Sequence, residues 1–132
     1  MSLSRRGLLA AGAALLAPRG AAAEVLRLPV ELVSEILTLP GRITLGNARG
    51  DVTLIEFFDY NCSFCKRSAA DIRPLLTAEP GLRYVLVNYA ILSEASIEAS
   101  RVALGASMQR TKGGYLALHE ALFRLRGRVD AL

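Results

Sequence analysis

The chain has 132 residues, room for one small domain, and 52% of them are apolar, which excludes wholesale disorder. The formal charge of +4 overstates its basicity. Arg5, Arg6 and Arg19 fall in the first 23 residues, which contain no acid, and the rest carries 13 basic and 12 acidic side chains. So nearly neutral a body gives no electrostatic case for binding nucleic acid, and none is expected.

Residues 1–23 read as an export signal rather than as structure. Ser4-Arg5-Arg6-Gly7-Leu8-Leu9 is a twin-arginine-like start, Gly7 to Ala17 is a short and mildly apolar stretch, and Ala21-Ala22-Ala23 supplies small residues for cleavage before Glu24. The apolar run is about half the roughly 20 residues that span a bilayer, so a permanent anchor is not expected. Weak hydrophobicity and Arg19 near the cleavage site favour the twin-arginine route and a periplasmic location, where disulfides persist.

Residues 24–42 form an expected N-terminal helical arm. Pro29 suits the first turn, Val30, Val33, Ile36 and Leu37 fall at helical spacing, and Pro40-Gly41 ends it. The expectation is that this helix packs on its own domain, with pairing to a second chain as the other reading. Ile43-Thr44-Leu45 reads as a short strand and Gly46 to Asp51 as a turn-rich link. Val52 to Phe58 has the apolar, β-branched and aromatic character of a strand buried on both faces. A helix from about Ser63 to Ala78 follows, with Ala69, Ile72, Leu75 and Leu76 inward and Pro74 expected to kink it or shift its end. After Pro80-Gly81, Leu82 to Asn88 reads as a second buried strand, which makes a parallel, right-handed βαβ unit over residues 43–90. Residues 91–132 read as helical. One helix starts near Ser93 or Glu94 with Ile97, Arg101, Leu104 and Met108 on its face. A loop at Thr111-Lys112-Gly113-Gly114 leads to a second helix marked by Tyr115, Leu118, Leu122 and Leu125 and ended by Gly127.

The only two cysteines stand as Cys62-Ser63-Phe64-Cys65, where the strand gives way to the helix. A Cys-x-x-Cys pair at such a junction suits thiol–disulfide exchange. The helix N-terminus offers unpaired N–H groups and partial positive charge, which favour Cys62 as the attacking thiolate. A structural staple would close a very short loop, where entropic stabilisation is smallest. Zinc needs about four ligands, and beside the two thiols there are only His119 and scattered carboxylates. Copper(I) capture by two soft sulfurs remains a further reading.

From Leu45 through Gly46-Asn47-Ala48-Arg49-Gly50-Asp51 to Phe57-Phe58-Asp59-Tyr60-Asn61-Cys62-Ser63-Phe64-Cys65-Lys66-Arg67, the sequence resembles the DsbA-like thioredoxin-fold family of exported disulfide oxidoreductases. It is similar to the branch that carries Gly-Asn-x-x-Gly-Asp before a Phe-Phe-Asp-Tyr-x-Cys-x-x-Cys site. Gly113 to Phe123 resembles a helix of that family's inserted subdomain. The resemblance implies an α/β fold: a thioredoxin-like βαβ half with a DsbA-type helical insertion, over residues 43–132. The family continues with two antiparallel strands and a helix, preceded by a cis-proline loop beside the cysteines. The five prolines here (Pro18, Pro29, Pro40, Pro74 and Pro80) all precede the insert. The expectation is therefore a sheet that lacks this C-terminal ββα part, through truncation or completion by a partner, and that is marginal in stability with an open edge.

The resemblance implies Cys62 as nucleophile, Cys65 as resolving thiol, and Glu56 as a buried acid beneath the pair that relays the inner cysteine's proton. Burial raises a carboxyl pKa, which suits that relay, and a Glu56 facing solvent is the alternative. Ser63, Phe64 and Lys66 are the tuning positions, with Lys66 and Arg67 adding positive potential. Phe64 is the one aromatic assigned to the surface as a substrate contact, and Phe57, Phe58 and Tyr60 are assigned to the core. Because Phe64 cannot hydrogen-bond or bear charge, the Cys62 pKa is expected near about 7 rather than about 3.5. His119 is expected to be structural or solvent-facing. No metal or diffusible cofactor is expected beyond the Cys62–Cys65 disulfide. The expected partners are cysteine-containing exported proteins and a membrane redox partner that resets the disulfide. Residues 24–41 and the open sheet edge are the candidate contacts for self-association. The other readings are a catalytically weak or inactive interaction protein and a copper(I) or thiol-stress binding protein.

Overall fold

The computed structural model describes residues 27–109 and 112–125; the expected export signal, its cleavage site and the last residues, 126–132, lie outside them. In chain order the elements are α1 (Val30–Thr38), β1 (Ile43–Gly46), β2 (Val52–Phe58), α2 (Ser63–Ser68), a 3₁₀ turn (Ala69–Asp71), α3 (Ile72–Ala78), β3 (Leu82–Asn88), α4 (Glu94–Ser107) and α5 (Lys112–Arg124).

The strands lie in the order β1-β3-β2. β2 and β3 run parallel, with Val52 opposite Leu82 and Phe58 opposite Asn88, as the βαβ reading requires. β1 pairs antiparallel with the other side of β3, Leu45 opposite Tyr84. The central strand is buried along most of its length, with Tyr84, Val85, Leu86 and Val87 all inside. β2 is not the strand buried on both faces that its composition suggests. Among the described residues it pairs on one side only, and Val52, Leu54 and Phe57 are exposed. An apolar run reads the same whether a strand sits at the centre or at the rim.

Side chains alternate across the sheet, and one face carries the core. Leu45, Leu82, Tyr84, Leu86 and Phe58 meet Ala69 and Ile72, Ala99 and Ala103 of α4, and Tyr115, Leu116 and Phe123 of α5. On the opposite face, Leu37 of α1 borders a hollow with Thr44, Arg83 and Val85. Pro29 stands at the N-cap position, one residue before the first turn in which its spacing places it, and no residue of α1 is fully buried. Val30 and Leu32 are exposed, so α1 rests on the domain only lightly.

The helix after the cysteines is broken as Pro74 leads one to expect. The break is the 3₁₀ turn at Ala69–Asp71, and Pro74 then falls in the first turn of α3. There its missing N–H costs nothing, because first-turn N–H groups have no intrahelical acceptor.

Two helix faces differ from the sequence expectation. Ser93 caps α4, its Oγ accepting from the Ser96 N–H at 3.2 Å. The buried face is Ser96, Ala99, Ser100 and Ala103, not Ile97, Arg101, Leu104 and Met108. Met108 is exposed, and Arg101 pairs with Glu98 at 2.6 Å on the surface. Small residues let this helix approach the core closely, and hydrophobicity alone undervalues them. α5 begins at Lys112, so Gly113 and Gly114 are helical rather than in a loop. Its buried residues are Tyr115, Leu116, His119 and Phe123, and Leu125 is exposed. The aromatic rings fill the core, with Tyr115 on the expected face and Leu122 of the leucine stripe packed against it from a partly buried position.

Candidate functional site

The site begins where β2 ends. After Phe58 the chain turns through Asp59, Tyr60 and Asn61, and the Cys62 N–H closes the turn on the Asp59 carbonyl at 3.0 Å. Cys62 is the N-cap of α2, in extended conformation, and its Sγ accepts from the Cys65 N–H at 3.4 Å. A thiol in this position satisfies an N–H that a helix start leaves open, as a Ser or Asp cap does. The two cysteines are partly buried thiols, and Cys65 packs against the core.

The pair is electrostatically asymmetric. The Cys65 N–H, then the Cys65 side chain and the Phe64 N–H, hold the Cys62 thiol below its ordinary value, against modest burial and the nearby charge of Asp59. Burial acts first on Cys65, and the Cys62 sulfur and the Glu56 charge add to it, pushing its pKa up to about 11. Opposite displacement of two neighbouring titratable groups separates their chemical roles.

Glu56 is half-buried within the sheet and does not face solvent. Its Oε1 accepts from Ser68 Oγ and its Oε2 from the Tyr84 hydroxyl, each at 2.6 Å. Ser68 lies one turn beyond Cys65, and its single hydroxyl proton is shared between the carboxylate and the Cys65 carbonyl at 3.1 Å, which links Glu56 to the backbone of the inner cysteine. Phe64 is exposed beside the nucleophile, with the Arg67 guanidinium 4.4 Å above its ring. Lys66 does not turn toward sulfur. Its Nζ donates to the Leu125 carbonyl at 2.8 Å, just past the end of α5.

Several neighbours of the site were not singled out by sequence. Asp59 is 4% exposed: Oδ1 accepts from the Asn61 N–H at 2.7 Å and Oδ2 from the Ile91 and Leu92 N–H groups at 3.0 Å. Burial alone would raise this carboxyl, but those hydrogen bonds, with one from Ser96, hold it below the usual carboxylate value. The Asp-Tyr-Asn run was a legible signal, since Asp bonding to the N–H two residues on makes an Asx turn. Phe57, assigned to the core by its strand, is instead exposed and meets Tyr89 edge-to-face at 5.9 Å. With Ile91 and Leu92 they border an apolar hollow of about 160 Å³ that reaches both cysteines. His119 is buried, its Nδ1 3.2 Å from the Tyr60 hydroxyl, within a ring cluster that includes Phe58, Tyr115 and Phe123. Among the described residues, no three of His, Cys, Asp and Glu gather into a metal-binding set.

A thioredoxin family model matches residues 38–126. No curated protein matches the chain. Among solved structures it is similar to a thioredoxin-like oxidoreductase from Silicibacter pomeroyi DSS-3: 41% identity and a TM-score of 0.65, over 74% of this chain and 54% of that one. It is similar to the thiol-disulfide exchange protein alpha-DsbA2 from Wolbachia pipientis: 25% identity and a TM-score of 0.66, over 75% and 52%. A periplasmic thioredoxin-like protein from Salmonella enterica serovar Typhimurium shares the fold, with 24% identity and a TM-score of 0.66, over 78% and 59%. The chain thus spans somewhat more than half the length of these structures. The matched family span takes in the three described strands, the cysteine turn and the four α-helices that follow it, and the chain belongs to the thioredoxin family.

Proposed function

We propose that the chain is a periplasmic protein thiol–disulfide oxidoreductase that exchanges disulfides with exported proteins through Cys62 and Cys65. The observation that carries this is the asymmetry of the two thiols: Cys62 is made acidic by helix-start N–H groups, and Cys65 is made basic by burial. The disulfide-exchange neighbour and the partly exposed Cys62 at the start of α2 support it.

In the oxidising direction, a substrate thiolate attacks Cys62 Sγ. The Cys62–Cys65 bond breaks, and Cys65 leaves and takes up a proton. A second substrate thiolate then attacks the substrate sulfur of the mixed disulfide and expels Cys62 as thiolate. Two electrons pass from substrate to the pair, and the substrate gains a disulfide. In the reverse direction, Cys65 must lose its proton to release the mixed disulfide, and a thiol at about 11 needs a base to do so near neutrality. Glu56, fixed by Ser68 and Tyr84 on the Cys65 side, is the group that would relay that proton. The chemistry needs no metal or diffusible cofactor. The exposed Phe64 and the hollow beside Phe57, Tyr89, Ile91 and Leu92 suit apolar segments of an incompletely folded substrate. A membrane redox partner would reset the disulfide. Export by the twin-arginine route rests on Arg5-Arg6 and Ala21–Ala23, and the periplasmic assignment also on the Salmonella neighbour.

The test is catalysis of insulin reduction and of dithiothreitol oxidation by the protein and by Cys62→Ser. Activity lost in the variant supports the reading, and equal rates for both overturn it.

A further inference from the structure

Three consecutive side chains in the turn before Cys62 are tied to the helical layer or to the link that enters it, Asp59 and Asn61 both reaching Ser96. Asp59 accepts from the Ile91 and Leu92 N–H groups, in the link from β3 to α4. The Tyr60 hydroxyl meets His119 Nδ1 of α5 at 3.2 Å. Asn61 Nδ2 donates to Ser96 Oγ in the first turn of α4 at 3.1 Å. Ile91 and Leu92 lie at the surface, whereas Asp59 is itself buried and two of the partner residues are deeply placed, Ser96 and His119 at 0% and 1% exposed. At such depth a hydrogen bond holds its geometry against competition from water.

The strand on which this turn sits pairs, among the described residues, with β3. The Cys62 thiolate, in turn, depends on an N–H···S contact of 3.4 Å, which a small rotation of the turn would break. We infer that Asp59, Tyr60 and Asn61 are positioning residues through which α4 and α5 hold Cys62 against the Cys65 N–H. The helical layer is then a determinant of thiol reactivity rather than only a cover for the sheet. This rests on the redox reading given above.

The experiment measures the pH profile of Cys62 alkylation by iodoacetamide in the reduced full chain, with the modified site confirmed by mass spectrometry and the thermal midpoint recorded in parallel. The variants are Tyr60→Phe, Ser96→Ala and the pair together. Asp59 is left intact because its charge also acts on Cys62 directly. Each single variant is expected to slow alkylation at pH 7 about threefold and the pair about tenfold, through an upward shift of the profile by up to about one unit. A purely structural role would lower the thermal midpoint and leave the profile in place. Profiles that overlay the wild type in folded Tyr60→Phe and Ser96→Ala overturn the inference. Should Tyr60→Phe fail to fold, Ser96→Ala, which loses one hydroxyl and leaves Asp59 its Asn61, Ile91 and Leu92 N–H donors, carries the test alone. A wild-type profile centred on the ordinary thiol value is a different result and sinks the redox reading together with this inference.

Discussion

His119 is the only histidine in the sequence, so stability between pH 4.5 and 7 should depend on a single ring. Burial lowers its pKa to about 4, against a weaker opposing pull from Glu120. In the unfolded chain it returns to about 6.5. Between those values the folded protein binds fewer protons than the unfolded one, so its stability is complete above about pH 6.5 and falls as the pH drops toward 4. From the two values, moving from pH 7 to pH 4.5 removes between about 2 and 3 kcal/mol, a large part of a small domain's stability. Asp59 does not confuse this window. Its carboxyl lies below the usual value, so its contribution holds above about pH 4 and is lost only below it. Cys62 would add a slope near neutrality, so the measurement belongs in the Cys62→Ser/Cys65→Ser background. Urea denaturation at pH 7, 6, 5 and 4.5 should show a midpoint that falls steadily at constant slope. In His119→Phe that dependence should vanish. An unchanged midpoint between pH 6.5 and 5, or a dependence that survives His119→Phe, would refute the claim that the ring is buried neutral.

Phe58→Ala removes the ring that Tyr60, His119 and Phe123 pack against and should cost about 3–5 kcal/mol in chemical denaturation. Gly50→Ala would drive a Cβ into the Gly81 carbonyl, where backbone cannot yield, and a loss above about 2 kcal/mol is expected. Tyr84→Phe deletes one of the two hydrogen bonds to Glu56 and should destabilise the reduced protein by about 1–3 kcal/mol, since that bond is to a charged group. Glu56→Gln should alter the neutral-pH dependence of mixed-disulfide release while Cys62 alkylation stays near wild type. Unchanged exchange kinetics across neutral pH would remove Glu56 from the proton relay.

The strands, the parallel crossover and the cysteine turn were legible because each is local: a β-branched run, a Pro-Gly break, two cysteines at fixed spacing. What depended on neighbours was not. β2 has the same composition in the middle of a sheet as at its rim, so its exposure, and that of Phe57, could not be read from it. The inward face of α4 is built from Ser96, Ala99, Ser100 and Ala103, whose value is closeness of approach rather than apolar area. Sequence alone leaves His119 between a structural and a surface role. Its pairing with Tyr60 joins positions 59 apart in the chain, which no periodicity reports. Asp59 was the one avoidable omission, since its turn chemistry is local even though its Ile91 and Leu92 partners are not.

Lys66 has a consequence for how the nucleophile responds to ionic strength. Its ammonium is lodged on the Leu125 carbonyl, and the groups that acidify Cys62 are the N–H donors and thiol of its own cysteine loop rather than mobile cations. Added electrolyte weakens attraction between exposed charges over about a Debye length but leaves a fixed short-range dipole largely untouched. Reactivity toward an uncharged reagent should therefore be almost indifferent to sodium chloride, and a strong dependence on it would mean that the lysine had left the helix end and swung toward sulfur.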